Sequence, residues 1–504
     1  MEKRDICLVM SDQHGMRYTG FSDPRVDTPE LLRITGDGQL YDRCYCNAPL
    51  CVPSRMSFLT GRLPSDLGIF NNDSSLPVDM PTIAHEMGRL GYRTVLIGRM
   101  HFKGDDQKHG FDERLCGDIT SQYWGTGGKN RTEFGAYMGT TNRKNCLKAV
   151  GAGCSPVMLY DRQVYESAME FLKAYRRSVP EQPLFLVVGF YSPHFPFACE
   201  EALYRKYQER FTVKECETWA EIPALSFYGG YRQECSGERI RNCAAAYCGL
   251  VERLDCYVGA VYDRFREAFA DRRHLFIYTS DHGEQLGRRK IFGKQALYED
   301  ALRVPMVAAG TGIPHGVFHG TVSLLDVSRT VLAASGADEP FEWHRGRAID
   351  FWRPDGGNRW VRVQQMLECG GERVLAQAAV CGRYKELRAA GGRYVYDLEA
   401  DPDERENLAG LWPAGGGDGA RDHVPGGDPC GAADGLGPAG RENCFVGQEE
   451  IRRLIENEQE LCARQKRLTQ WGRAKNPEEW ARAQICPEAV RGPVETRGDF
   501  VDEV

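Results

Sequence analysis

The chain has 504 residues, 42% hydrophobic, 27% charged and 10% aromatic, enough to bury a large core and inconsistent with global disorder. Its formal net charge of -7 argues against a dedicated nucleic-acid binder, which shows a basic stripe or a high pI, but leaves small anionic substrates open. No apolar run approaches the ~20 residues of a membrane span, Ile6 to Met10 is too short for a signal-peptide core, and the 19 cysteines show no paired C-x-x-C spacing, so a cytoplasmic chain with mostly buried thiols and no membrane partner is expected.

Ile6-Cys7-Leu8-Val9-Met10 ends in Ser11-Asp12-Gln13, the pattern of a buried parallel strand that delivers polar residues at its carboxyl end. Similar runs follow at 94–98, 184–189 and 275–279, each leading into a histidine or an aspartate. Helical stretches at 81–91 and 161–177 lie between them. This alternation predicts an α/β domain with a mainly parallel sheet, whose sites form outside the carboxyl ends of the strands. A first unit over 1–370 is expected, followed by a smaller one over 371–504. In the second, 374–380, 383–387 and 393–397 read as short antiparallel strands around the turn Ala389-Ala390-Gly391-Gly392. The Gly/Pro-rich stretch 410–441 reads as a loop. A helical pattern returns from Gln448 to Gln470, with Ile451, Leu454, Ile455 and Leu461 on one side.

The most informative segment is Cys51-Val52-Pro53-Ser54-Arg55-Met56-Ser57-Phe58-Leu59-Thr60-Gly61-Arg62. A buried cysteine before a Pro-started helix explains the pentapeptide C-x-P-S-R alone. The full twelve residues resemble the signature of the formylglycine-dependent (type I) sulfatases. Ser11-Asp12-Gln13 and Ser280-Asp281-His282-Gly283-Glu284 look like segments of the choline-sulfatase and phosphonate-monoester-hydrolase branch. Gly98-Arg99-Met100-His101-Phe102 and His109-Gly110-Phe111-Asp112 resemble the family's G-K-x-H and H-G-F segments, with arginine in place of the usual lysine. Tyr394 to Leu408 resembles the Y-D-L-x-x-D-P-x-E-x-x-N-L motif of the family's C-terminal subdomain and carries no evident catalytic chemistry. The matches run from residue 5 to about 410, in the family's order.

This resemblance implies an alkaline-phosphatase-like α/β/α sandwich with a large mixed, mainly parallel sheet and a C-terminal α+β subdomain. It implies a sulfuric ester hydrolase in which a maturation enzyme oxidises Cys51 to formylglycine. One hydroxyl of the hydrated aldehyde then acts as nucleophile, and the other allows sulfate to be expelled by collapse of the hemiacetal. It implies a divalent metal held by Asp12, Gln13, Asp281, His282 and the modified Cys51, since a cation eases deprotonation of the nucleophile. Calcium is expected, with manganese or magnesium as alternatives, and the imidazole makes manganese more plausible than oxygen ligands alone would. Arg55 would position the aldehyde residue and His101 would accept the hemiacetal proton. His194 would protonate the leaving oxygen, and Asn72, Arg99, His194 and Lys294 would bind sulfate. His109 reads as structural. A phosphonate or phosphate ester hydrolase using the same site is the nearest alternative, and a sulfate-ester-binding protein results if Cys51 stays unmodified. The divergent regions 113–160 and 200–240 would line the pocket, with Tyr123, Trp124, Arg131 and Trp219 as candidates for recognising a sulfated carbohydrate, and the tail after 445 could mediate self-association.

Overall fold

The computed structural model describes residues 3–122, 132–134, 147–178, 181–336, 341–352, 359–411 and 445–457. Tyr123, Trp124, Arg131, Leu461 and nearly all of the 410–441 stretch lie outside them. In chain order the strands are β1 (Asp5–Asp12), β2 (Gly38–Tyr45), β3 (Arg93–Gly98), β4 (Glu113–Leu115), β5 (Val150–Ala152), β6 (Leu184–Pro193), β7 (Phe197–Cys199), β8 (His274–Ser280), β9 (Arg303–Gly310), β10 (Gly316–Phe318), β11 (Val322–Ser323), β12 (Val361–Cys369), β13 (Glu372–Cys381), β14 (Tyr384–Ala389) and β15 (Gly392–Asp397).

The main sheet has the order β10-β2-β9-β8-β1-β6-β3-β4, with β11 added against β2. β1 pairs in parallel with both β6 and β8, and β3 with β6. β9 is antiparallel to β8 and β2, so the sheet is mixed but mainly parallel, as expected. The pleat sends alternate side chains to opposite faces. Ile6, Leu8 and Met10 join one core cluster, and Cys7 and Val9 the other. In the same way Leu275 and Ile277 face one side while Phe276 and Tyr278 face the other. That is why these central strands read as continuous apolar runs.

Helices Pro156–Ser178 and Gly237–Ala268 cover the second face. The first presents Val157, Tyr160, Val164, Ala168 and Leu172 to that core at helical spacing. Helices Cys51–Thr60, Ile83–Arg89 and Leu324–Ala334 pack on the other face. Here the small sheet β12-β13-β14-β15 also joins the core through Val363, Leu367, Ala376 and Leu387. The small sheet begins at Val361, ahead of residue 370, because β12 pairs with β13 along its whole length. The turn between β14 and β15 closes on Ala389 and Gly392, with positive φ at Ala390 (48°) and Gly391 (74°), the backbone of a tight hairpin turn. Residues 448–457 are helical, and Ile451 and Leu454 pack on Phe70, Met366 and Leu375. Among the described residues, no helix is long and apolar enough to cross a membrane.

Where β3 and β6 end, Gly98 lies opposite Gly189 and the Arg99 amide donates to the Gly189 carbonyl at 2.9 Å. A Cβ on Gly189 would lie 1.8 Å from the Arg99 carbonyl oxygen, so the strands can close only without a side chain there. Gly189→Ala is expected to lower unfolding free energy by at least ~2 kcal/mol through overpacking and to disturb Arg99. An unchanged urea midpoint for this variant would show that the strand ends have room to spare.

Candidate active site

The carboxyl ends of β1 and β8 meet the N-terminus of helix Cys51–Thr60. Leu50 is extended (φ -157°) and Cys51 is the first helical residue, almost fully buried. The Asn72 side-chain carbonyl accepts from the Val52 amide at 3.0 Å and so satisfies one of the helix's unpaired N–H groups. Arg55 lies one turn along on the same face. Its Nε donates to Asp281 Oδ2 at 2.8 Å, and its Nη2 reaches Asp12 Oδ2 at 3.3 Å and the Ser11 carbonyl at 3.2 Å. Ser54 ties the same helix to the Asp281 carbonyl at 2.6 Å.

Cys51 Sγ stands 3.6 Å from Asp12 Oδ1 and 3.2 Å from His282 Nε2. The ligand atoms of Asp12, Cys51, Asp281 and His282 all lie within 4.8 Å of one another, and all four residues are buried. His282 Nδ1 faces the Gly283 carbonyl at 3.1 Å, so it donates there and leaves the Nε2 lone pair to the cluster. Burial lowers the pKa of His282 to about 4, which keeps the ring neutral as a metal ligand must be. Burial opposes ionisation of Asp12, but Arg99 and the other cations outweigh it and hold the carboxyl well below its usual range. Two carboxylate side chains, one neutral imidazole and Cys51 around a common point fit a divalent cation.

Arg99 binds protein groups with every nitrogen. Its Nε donates to Asp12 Oδ2 at 2.5 Å, and Nη1 to Asp118 at 2.8 Å and Thr120 at 3.2 Å. Its Nη2 donates to His101 Nδ1 at 2.9 Å, and the guanidinium lies 4.3 Å from the Tyr191 ring centre. The residue is 1% exposed. Arg99 therefore clamps Asp12 and orients His101, a different task from the sulfate binding expected of it. Because a guanidinium only donates, His101 Nδ1 must accept, and the neutral ring carries its proton on Nε2. Burial, then Arg99, holds the His101 pKa well below normal. This arrangement makes His101 a hydrogen-bond donor through Nε2, and a proton-accepting role would need the other tautomer.

Lys294 Nζ is 2.6 Å from both His194 Nε2 and Gln13 Oε1. His194 Nδ1 lies 2.7 Å from the Phe195 carbonyl, so the ring donates there and accepts from the lysine. Burial, then Lys294, depresses the His194 pKa strongly. In this pair Lys294 donates and His194 Nε2 accepts. Gln13 has φ 72°, its amide N–H donates to Asp281 Oδ1 at 3.0 Å, and its Nε2 donates to Glu284. The Gln13 side-chain oxygen Oε1 is thus aimed at Lys294.

Three positioning residues were assigned no role from the sequence. Asp118 holds Arg99 and accepts from the His101 amide at 2.8 Å. Glu284 holds Gln13 and accepts from the amides of Leu286 and Gly293 at 2.6 and 2.7 Å. Asp161 accepts from the amides of Tyr191 and Ser192, both at 2.7 Å. Asp118 and Asp161 are recognisable only from the groups around them, whereas Glu284 sits in a segment already singled out. Trp219 packs on Phe211 and beside Arg288. His109 is buried against Phe102, in keeping with a structural role.

The sulfatase family profile matches residues 4–337. A choline-sulfatase of Rhizobium meliloti is 30% identical over 436 residues, covering 81% of this chain and 82% of its own. The phosphonate monoester hydrolase of Silicibacter pomeroyi superposes with a TM-score of 0.61 at 19% identity, over 81% of this chain and 91% of that one. A 2-O GAG sulfatase superposes with a TM-score of 0.59 at 18% identity, over 81% and 88%. The fold is thus the alkaline-phosphatase-like sandwich, and the class is that of the sulfuric ester hydrolases. The chain belongs to the sulfatase family.

Buried neutral histidines make the fold sensitive to acid. Burial lowers the pKa of His14, which bonds Tyr278 at 2.6 Å, to about 4, and that of His344 to about 3. A depressed histidine pKa stabilises the fold above the unfolded value of about 6.5, and that stability is lost as pH falls toward the folded values. We expect the urea midpoint to fall progressively from pH 6.5 to pH 4, with His14 contributing roughly 3 kcal/mol. A shallower pH slope in His14→Gln than in wild type checks the assignment.

Proposed function

We propose that the chain hydrolyses sulfate esters of carbohydrates at a chain end, with Cys51 oxidised to formylglycine by a maturation enzyme. Asp12, Asp281 and His282, with Gln13 beside them, would hold the divalent cation. The observation that carries the reading is the convergence of Cys51 with those three donors at a helix N-terminus. As a thiol, Cys51 is pushed up to about 12 by burial, then by Asp12, and a protonated thiol is a poor nucleophile. That supports chemistry by the oxidised residue. Once oxidised and hydrated, Cys51 would carry two hydroxyls, one as nucleophile and one whose deprotonation would let sulfate leave. A cation held by Asp12, Asp281 and His282 would supply Lewis acidity there.

The chain's own residues do the rest. Arg55 and Arg99 fix both carboxylates, so the donor set is preorganised before substrate arrives. Lys294, with His194 behind it, offers a proton and a positive charge where the leaving oxygen and sulfate must sit. The Asn72 amide nitrogen makes no hydrogen bond among the described residues and is available to a sulfate oxygen. Among the described residues, the Tyr191 ring is faced by Arg99 and the Phe195 ring by Lys294 at 5.2 Å. Such faces are what a quaternary ammonium needs, and the occupation of these two supports a neutral polyol leaving group over choline at this part of the site. The similarity to a choline-sulfatase and a phosphonate monoester hydrolase makes choline sulfate and a phosphonate ester the comparison substrates.

Matured enzyme is expected to release sulfate from sulfated mono- or oligosaccharides faster than from choline sulfate, an aryl sulfate or an aryl phosphonate. Cys51→Ala should lose at least ~10³-fold in kcat. Turnover of the phosphonate alone would overturn the sulfate-ester assignment while leaving the nucleophile in place. Chelation should abolish activity, and add-back of calcium, compared with manganese and magnesium, identifies the ion. Full activity after exhaustive chelation would refute the metal requirement.

A further inference from the structure

We propose that the segment Asp401-Pro402-Asp403-Glu404 is a latch by which the small sheet holds the 286–295 loop, and with it Lys294, in working position. The inference rests on the reading of Lys294 as part of the sulfate-ester site.

Lys294 must place one atom 2.6 Å from two partners at once, yet it rides on a strained loop. Leu286, Arg289, Lys290 and Gln295 have φ of 47°, 59°, 60° and 61°, a left-handed region that residues with a Cβ occupy only when their surroundings over-determine it. Inside, the loop is closed by Gln285 N–H to the Gly293 carbonyl and Gly287 N–H to the Ile291 carbonyl, both at 2.8 Å. Outside, it presents Arg288 and Arg289.

Arg288 Nε and Arg289 Nη1 each reach Asp300 Oδ2 at 3.1 Å. The Nη2 of Arg288 pairs with the Asp403 carboxylate, and the Nη2 of Arg289 donates to the Asp403 carbonyl. The Arg289 guanidinium lies 3.9 Å from Glu404 and the same distance from the Tyr298 ring centre. Glu404 is itself held hard. It is 4% exposed, at φ 53°, between Lys385 Nζ at 2.7 Å and the Glu299 amide at 2.8 Å. Lys385 belongs to β14, is fully buried and also lies 3.4 Å from Glu299. An unbroken series of charged contacts therefore runs from β14 through Glu404 and Asp403 to the two loop arginines. Without it, the strained positions can relax and withdraw Lys294. The fraction of molecules with a complete site then falls, and kcat falls with it.

The test uses the full matured chain, an aryl sulfate and hydrogen exchange read by mass spectrometry. Glu404→Gln and Asp403→Asn are each made alone and with Lys294→Ala; the Asp403 side chain is 26% exposed, so its variant is the milder should Glu404→Gln not fold. Each single variant is expected to lower kcat about tenfold with a smaller change in KM, and to speed exchange across 286–295. In the Lys294→Ala background the same substitutions should cost little further kcat, because latch and lysine act as one unit. Additive losses of kcat, or unchanged exchange across 286–295, overturn the proposal. If wild type turns over no sulfate ester, exchange alone decides between faster opening, which supports the latch, and no change, which removes it.

Discussion

Two carboxylates packed against each other in a site with almost no exposed surface are the constraint on which the rest depends. Asp12 and Asp281 are both fully buried, and their mutual repulsion in a medium of low dielectric must be balanced by fixed charge. Arg55 spans the pair and Arg99 binds the far oxygen of Asp12. Removing one partner from such a buried arrangement costs roughly 3–5 kcal/mol, so both arginines are structural as well as functional. The inner oxygens and His282 stay turned toward Cys51. Burial, and after it the Asp12 charge, raises the Cys51 thiol, which disfavours the thiolate of the unmodified residue.

The fold meets this constraint with short reaches from rigid elements. Asp12 and Asp281 stand at the ends of neighbouring parallel strands, β1 and β8, and Cys51 and Arg55 share one face of a buried helix. None of these residues needs a long loop to arrive. Lys294 does, and its loop carries the strain. Glu284 holds that loop from within, while Asp300, Asp403 and Glu404 hold it from outside. A motif that carries no reacting group thereby acquires a physical task, and the small sheet is coupled to the chemistry by charge and not only by packing.

Arg99 shows how one side chain changes the logic of a site. Its planar fork satisfies Asp12, Asp118 and His101 together, which a single ammonium group could not do with the same directions. The consequence is a His101 tautomer fixed by its neighbour, while His194 is paired separately with Lys294. On the proposed reading, positive charge for a sulfate group would come from Lys294, with the arginines serving as a frame behind the carboxylates.

Much of this was legible before folding. The apolar runs of β1, β3, β6 and β8 announce themselves because both faces are buried, and the ends of β1 and β8 carry the aspartates that chemistry requires. Cys51, Asp12, Asp281 and His282 were legible because their segments resemble those of the sulfatase family, and the structure brings their ligand atoms within 4.8 Å of one another. The antiparallel β9, the strand β12 and helix Gly237–Ala268 were not, since direction and partner are properties of pairing and not of pattern. Asp118 and Glu284 were invisible as positioning residues because a carboxylate's role depends on which donors surround it. The sequence alone thus determined which groups could do the chemistry and on which strand ends they would stand. Only the tertiary structure decided who holds whom, because hydrogen-bond partners, tautomers and buried charge balance exist only once distant segments lie within ~3 Å of each other.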